Sequence, residues 1–248
     1  MKRHYAVVVL GAAVILGACE EQSITENQGP QEQAEQVKEQ EGAGQQEVKV
    51  PQLTEQLKER LPDWNLALPS WTAEEGRHIG ATVVEEDNRV KIQFYRTEGP
   101  MEVDDPALAN SQETALLTIE RFSSSEEANE QIGFQNYKES GGRPVELGHS
   151  ITGYQDAGAG SLFTSWNEGR WAIVARTTTD APEKGVQLAQ RTVSFLEGHT
   201  LPIPNEHGSL HLDANEQGSL VKWQKEELVY GLTTATNDEL LEWAVLFE

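Results

Sequence analysis

Hydrophobic positions fall into three regimes along the chain. From Tyr5 to Leu16 they run almost unbroken, from Glu20 to about Val50 they nearly vanish, and from Leu53 onward they recur at regular short intervals. The third regime predicts folded structure. Leu53, Leu57 and Leu61 recur every four residues between Pro51 and Pro62, which predicts a short helix. Trp64, Leu66, Leu68 and Trp71, punctuated by Pro62 and Pro69, predict an extended lead-in that seals one edge of a core. Residues 79–84, and then Val90, Ile92 and Phe94 alternating with Lys91 and Gln93, predict two antiparallel strands joined by a turn at 85–88. Ala115, Leu117 and Ile119 predict a third. Ser124 and Glu127 fit a capping box for a helix carrying Ala128, Ile132 and Tyr137, ended by Gly141, Gly142 and Pro144. A short strand is expected at 151–154, followed by a turn at Ala157, Gly158, Ala159 and Gly160. That glycine run lacks the lysine and the strand-to-helix setting of a phosphate loop.

A second pattern lies on top of this alternation. Trp166, Trp171, Ile173, Thr177, Thr179 and Asp180 return as Trp223, Leu228, Tyr230, Thr234, Thr236 and Asn237, 57 positions on. Each copy reads as a hairpin followed by a helix. The first helix is expected to be capped by Asp180, with Pro182 in its first turn and an apolar stripe of Val186, Ala189, Val193 and Leu196. The second is expected to be capped by Asn237 and to bear Leu240, Leu241, Ala244 and Val245. Neither unit can bury its own apolar face, so both must share a core with the earlier strands. The expectation is one α+β domain over 51–248, an antiparallel sheet with helices packed on one face, containing hairpin-helix units at about 160–197 and 217–247.

The N-terminal apolar run changes the picture. It follows Lys2 and Arg3 and closes on Leu16, Gly17, Ala18 and Cys19, the chain's single cysteine. A basic head, an apolar run and a small-residue end form the layout of a secretory signal, too short for the ~20 residues of a membrane-spanning helix. The Leu-Gly-Ala-Cys ending resembles the lipobox of bacterial lipoproteins. The resemblance implies cleavage after a signal peptide at 1–18, a diacylglyceryl group on Cys19, and a location on the extracytoplasmic face of the cell membrane, held by the lipid anchor. Two acyl chains suffice for stable anchoring where one does not. Residues 19–50 hold the acylated cysteine and a Gln/Glu-rich stretch with no aromatic residue, a composition that predicts a disordered tether.

The chain carries 41 acidic against 19 basic side chains, a net charge of −22. So acidic a surface repels nucleic acid, and no lysine-rich run offsets it. The tail from about residue 200, with Gly218, Ser219 and Leu220, then Trp223, Tyr230 and Thr234, is similar to an uncharacterised C-terminal domain of Gram-positive lipoproteins and anti-sigma-like membrane proteins. That likeness implies envelope sensing or regulation and carries no catalytic residue with it.

Candidate chemistry is sparse. Glu206, His207, His211 and Asp213 have the residue types of a metal site, but Pro204, Gly208, Leu210 and Leu212 place them on turn and strand. There His207 and His211 would share a side yet lie ~13 Å apart, which favours solvated histidines at a sheet edge. His149 beside Ser150, and Ser161 after Gly160, lack a nucleophile setting. Trp166, Trp171, Trp223, Trp243 and Tyr230 either line a groove for glycan or peptide or fill the core, and filling the core is the expected outcome. No catalytic, cofactor-binding or metal-binding residue is assigned, and lipidation of Cys19 is the one site. The function expected is a membrane-anchored, non-enzymatic binding or sensing module whose partner is an envelope protein, peptide or glycan. The alternatives are an envelope hydrolase or metal-dependent enzyme, and a solute-capturing module.

Overall fold

Residues 52–71 and 78–247 are described by the structure, a computed structural model. The chain divides into the units Met1–Glu47 and Val48–Glu248. The signal segment 1–18, Cys19 and the tether 19–50 lie outside the described residues.

Chain order begins with helix α1, Leu53–Arg60, followed by a 3-10 turn at Pro62–Trp64. Strands β1 (His78–Glu86), β2 (Arg89–Thr97) and β3 (Gln112–Arg121) come next, and then short helices α2 (Ser125–Glu130) and α3 (Tyr137–Ser140). Four strands follow: β4 (Arg143–Gly148), β5 (Ile151–Gly158), β6 (Ser161–Glu168) and β7 (Trp171–Thr178). Helix α4 (Pro182–Leu196) leads to β8 (Gly208–Asp213), β9 (Leu220–Lys225), β10 (Leu228–Thr234) and helix α5 (Asn237–Ala244).

The ten strands form one sheet in the order β1-β2-β3-β10-β9-β8-β7-β6-β5-β4. Every neighbouring pair is antiparallel except β7 and β8. Those two are parallel because α4 carries the chain back to the starting end of β7 before β8 begins. The architecture is therefore α+β with a largely antiparallel sheet.

One face of the sheet presents Val90, Ile92 and Phe94, Ala115, Leu117 and Ile119, and Leu228, Tyr230 and Leu232 to a single core. Strand alternation puts each set on one side. Onto this inner face α1 contributes Leu57, α4 Leu188, Ala189 and Val193, and α5 Leu240, Leu241 and Ala244. Trp166, Trp223 and Tyr230 are among the largest fully buried side chains, and Trp223 stacks on Tyr230 with ring centres 5.0 Å apart. The tryptophans fill the core, as their spacing predicts.

Helices are not confined to that face. Ala128 of α2, with Ile132, packs on Val229, which points away from Leu228 and Tyr230 on the opposite side of β10. The start of α3 hangs on the same outer face, Tyr137 N donating to Asn167 Oδ1 at 2.8 Å. Leu228, Val229 and Tyr230 are three apolar residues in a row, and a strand apolar on both sides needs cover on both.

The lead-in behaves as expected. Ala67 N donates to the Tyr230 hydroxyl at 3.0 Å and Ser70 N to Leu246 O at 2.8 Å, while Trp64 Nε1 donates to Glu85 at 2.8 Å. Trp71 meets Phe94 and Trp243 edge-on at 5.4 and 5.9 Å.

Two caps differ from expectation. Helix α4 starts after Ala181, without a side-chain cap, and Asp180 lies before it. Thr236, not Asn237, caps α5, its hydroxyl accepting from Glu239 N at 3.2 Å. Asn237 is instead buried, donating to Asp213 O at 2.8 Å and accepting from the Ser219 hydroxyl at 2.7 Å. An amide side chain can satisfy two partners where a capping oxygen serves one. No described helix is long and apolar enough to cross a membrane.

Candidate functional site

The β6–β7 hairpin and the chain between α4 and β8 meet at one end of the sheet. Glu168 and Trp171 are cross-strand partners, so the loop between them is only Gly169 and Arg170, with Gly169 at φ 55°. The Arg170 guanidinium Nη1 donates to Pro204 O and Asn205 O, each at 2.8 Å, and Arg170 O accepts from Gly208 N at 3.0 Å. This ties the crossover to the hairpin. Gly208 is needed there for space, since a Cβ would come within 2.7 Å of the Trp171 indole.

The crossover Leu201, Pro202, Ile203 and Pro204 cannot form helix or join the sheet, because two prolines remove donors and fix φ. It arches over the hairpin and leaves an open cleft of about 290 Å³. Its lining includes Glu168, Arg170, Trp171, Leu196, His199, Thr200, Leu201 and Ile203. Ile203 stands at 73 % exposure, one of two large apolar side chains so exposed among the described residues. His199 stacks on Phe195 with centres 4.1 Å apart, and its Nδ1–H donates to Phe195 O at 2.9 Å.

Glu168 is the group of interest. One carboxylate oxygen accepts from Trp166 Nε1 at 2.7 Å. Burial raises its pKa above the ordinary value, the indole hydrogen bond opposes that rise, and the charge on Glu197 adds to it. Glu197 itself lies 3.5 Å from His149 Nδ1. The arrangement is a recess with apolar walls and one half-buried carboxylate, suited to holding a ligand; no serine, cysteine or lysine is among its lining residues.

The residues singled out as metal-like fall elsewhere. His207 stacks on Phe134 with centres 4.0 Å apart and meets Asn129 Oδ1 through Nδ1 at 3.1 Å, while Glu206 accepts from Asn129 Nδ2 at 3.3 Å. They fasten α2 to the outer face. Asp213 is fully buried, paired with Arg176 and accepting from Asn215 N at 2.7 Å. His211, between them along β8, is held below its ordinary pKa chiefly by burial. Among the described residues, no three His, Cys, Asp or Glu side chains converge as a metal site. His149 and Ser150 both sit at positive φ in the β4–β5 turn, and the Ser161 hydroxyl accepts from Arg176 Nε at 3.0 Å. Neither serine is joined to a base.

Glu168 and Ile203 were invisible as site residues in the sequence. One is an acid among many, and the other lies in a segment legible only as a bridge. The usable signal was Ile203 itself, an apolar residue flanked by two prolines and so barred from a helix or central strand.

Comparison with known proteins adds no relative: no family model, no curated protein and no solved structure matches the chain.

Proposed function

We propose that the chain is a lipoprotein anchored through Cys19 to the extracytoplasmic face of a cell membrane, and that its folded unit is a non-enzymatic binding module using the crossover cleft. The location rests on Leu16, Gly17, Ala18 and Cys19. The binding role rests on one observation, a half-buried Glu168 carboxylate in a cleft walled by Trp171, Leu196 and Leu201 with no serine, cysteine or lysine in its lining. A membrane-tethered module with an accessible recess is the arrangement an envelope sensor requires. The expected partner is an envelope protein or peptide.

Labelled palmitate fed to cells making the wild-type chain should enter the protein, and Cys19→Ser should abolish incorporation and release the protein from membranes. Unlabelled wild type, or a serine variant held as firmly as before, defeats the anchor. Turnover of an envelope substrate by purified protein, lost on Glu168→Gln, defeats the non-enzymatic reading.

We further propose that β6, β7 and α4 on one side, and β9, β10 and α5 on the other, are copies of one hairpin-helix unit. In its support, Trp166 pairs with Ile173 as Trp223 pairs with Tyr230, 57 positions on. The first loop residue is at φ 55° in both hairpins, Gly169 in one and Glu226 in the other. The hydroxyls of Thr177 and Thr234 each donate to a carbonyl in the turn before their helix, at 3.1 and 2.7 Å.

A further inference from the structure

Taking the binding role of the cleft as its premise, we infer that the cleft receives a cationic side chain, lysine or arginine, from an extended segment of a protein partner, with Glu168 as counter-ion. Size comes first. A cleft of about 290 Å³ sits at the bottom of the range of about 300–1,000 Å³ for small-molecule pockets. It accommodates one long side chain and its flanks, and not a folded ligand. Wall chemistry comes second. Trp171, Leu196 and Leu201 offer apolar surface to a methylene stem, and long cationic side chains bury such stems while keeping the charged head at a polar group.

The polar group is Glu168. Only one of its oxygens is engaged, by Trp166 Nε1, and the other has no hydrogen-bond donor among the described residues. The cation nearest along the chain does not neutralise it: Arg170 is committed to the carbonyls of Pro204 and Asn205. Of the other titratable groups at this end, Glu197 adds negative charge, His149 faces Glu197, and His199 is bonded to its own helix through Phe195 O. Arg170 lines the cleft but is not paired with Glu168, which has no ion-pair partner among the described residues, and a half-buried carboxylate gains most from a cation that arrives with its own donors. A net charge of −22 draws basic segments toward the surface and repels acidic ones. The exposed Ile203 at the rim gives an apolar neighbour of the cation a place to rest, which favours a peptide segment over a lone amine.

Three probes separate the outcomes: capped pentapeptides carrying a central lysine or a central norleucine, and n-butylamine. Each is titrated into the isotopically labelled purified protein while amide resonances of Glu168, Trp171 and Ile203 are followed. The lysine peptide should shift all three and bind at least about tenfold more tightly than the norleucine peptide, the scale of one charge-assisted hydrogen bond. Butylamine should bind more weakly than the lysine peptide. Glu168→Gln, which keeps an acceptor for Trp166, should erase the lysine advantage and leave norleucine binding unchanged. Ile203→Ser, at an exposed position, should weaken both peptides alike.

Equal binding of the two peptides overturns the cationic assignment and leaves the binding role standing. Butylamine binding as tightly as the lysine peptide overturns the protein-segment assignment in favour of solute capture. If no probe moves a cleft resonance, the cationic assignment and the binding role of the cleft fall together.

Discussion

The Trp166 indole donates to the Glu168 carboxylate at 2.7 Å, two residues along the same face of β6. A core tryptophan thus holds the acid that lines the cleft. The bond lowers the carboxyl pKa, yet burial outweighs it and the net displacement is upward from 4.5. The folded state therefore holds its proton where the unfolded chain has released it. The stability contributed by this group is complete below pH 4.5 and is lost as pH rises through the folded-state value. Glu168→Gln should match wild type in acid and melt at a higher temperature near neutrality. Thermal melts across that interval test it.

His211 carries the opposite sign. Its pKa is lowered from 6.5 mainly by burial, opposed by the Asp213 charge and assisted by Arg176. Its contribution is present above pH 6.5 and is lost as pH falls through the lowered value, because the unfolded chain takes up the proton first. His211→Gln should remove that part of the acid sensitivity. Urea midpoints measured on either side of this interval should draw together in the variant.

Asp213 sits under a denser set of constraints. Its carboxylate faces Arg176 and Asn215 N, its backbone N donates to the Ser219 hydroxyl at 3.0 Å, and its backbone O accepts from Asn237. Asp213→Ala leaves the guanidinium without its counter-charge, with only the Ser161 hydroxyl as partner, and should cost about 3 kcal/mol. Asp213→Asn should cost less, because it keeps an acceptor for Asn215 N. Urea denaturation of both variants gives the comparison.

Glu226 occupies a left-handed position, φ 55°, in the two-residue loop between β9 and β10. A side chain there costs roughly 1–2 kcal/mol, and glycine gives back part of that gain as unfolded-state entropy of about 0.5–1 kcal/mol. Glu226→Gly should therefore stabilise by up to about 1 kcal/mol, read as a rise in melting temperature. Its backbone N–H bond to Asn205 Oδ1 at 3.1 Å survives the change.

Where one force dominated, the sequence was legible. Alternation in Val90, Ile92 and Phe94 and in Ala115, Leu117 and Ile119 marks strands whose observed bounds are Arg89–Thr97 and Gln112–Arg121, somewhat longer at both ends. Ser124 caps α2 as expected, its hydroxyl accepting from Glu127 N at 3.1 Å. Strand β4 was hidden because Pro144 reads as a terminator, although a sheet edge tolerates proline. The predicted helix through Tyr137 is two short helices, since Gly133 at φ 67° interrupts it. Cover on the outer face is not signalled by Leu228 and Tyr230, whose alternation marks only the inner side; Val229 between them is the apolar residue on the other. The cleft was beyond reach for a different reason: Glu168 and Ile203 are brought together by Arg170 and the crossover, a tertiary arrangement without a local sequence signature.

Strand order has a consequence for how the molecule comes into being. The first three strands connect to the others only through β10, the last of the ten described strands. A nascent chain halted before Leu228 holds two unjoined sheets, each with an open border, and cannot close its interior by waiting. Completion thus waits for β10, and truncation before Leu228 should be as damaging as loss of a whole layer.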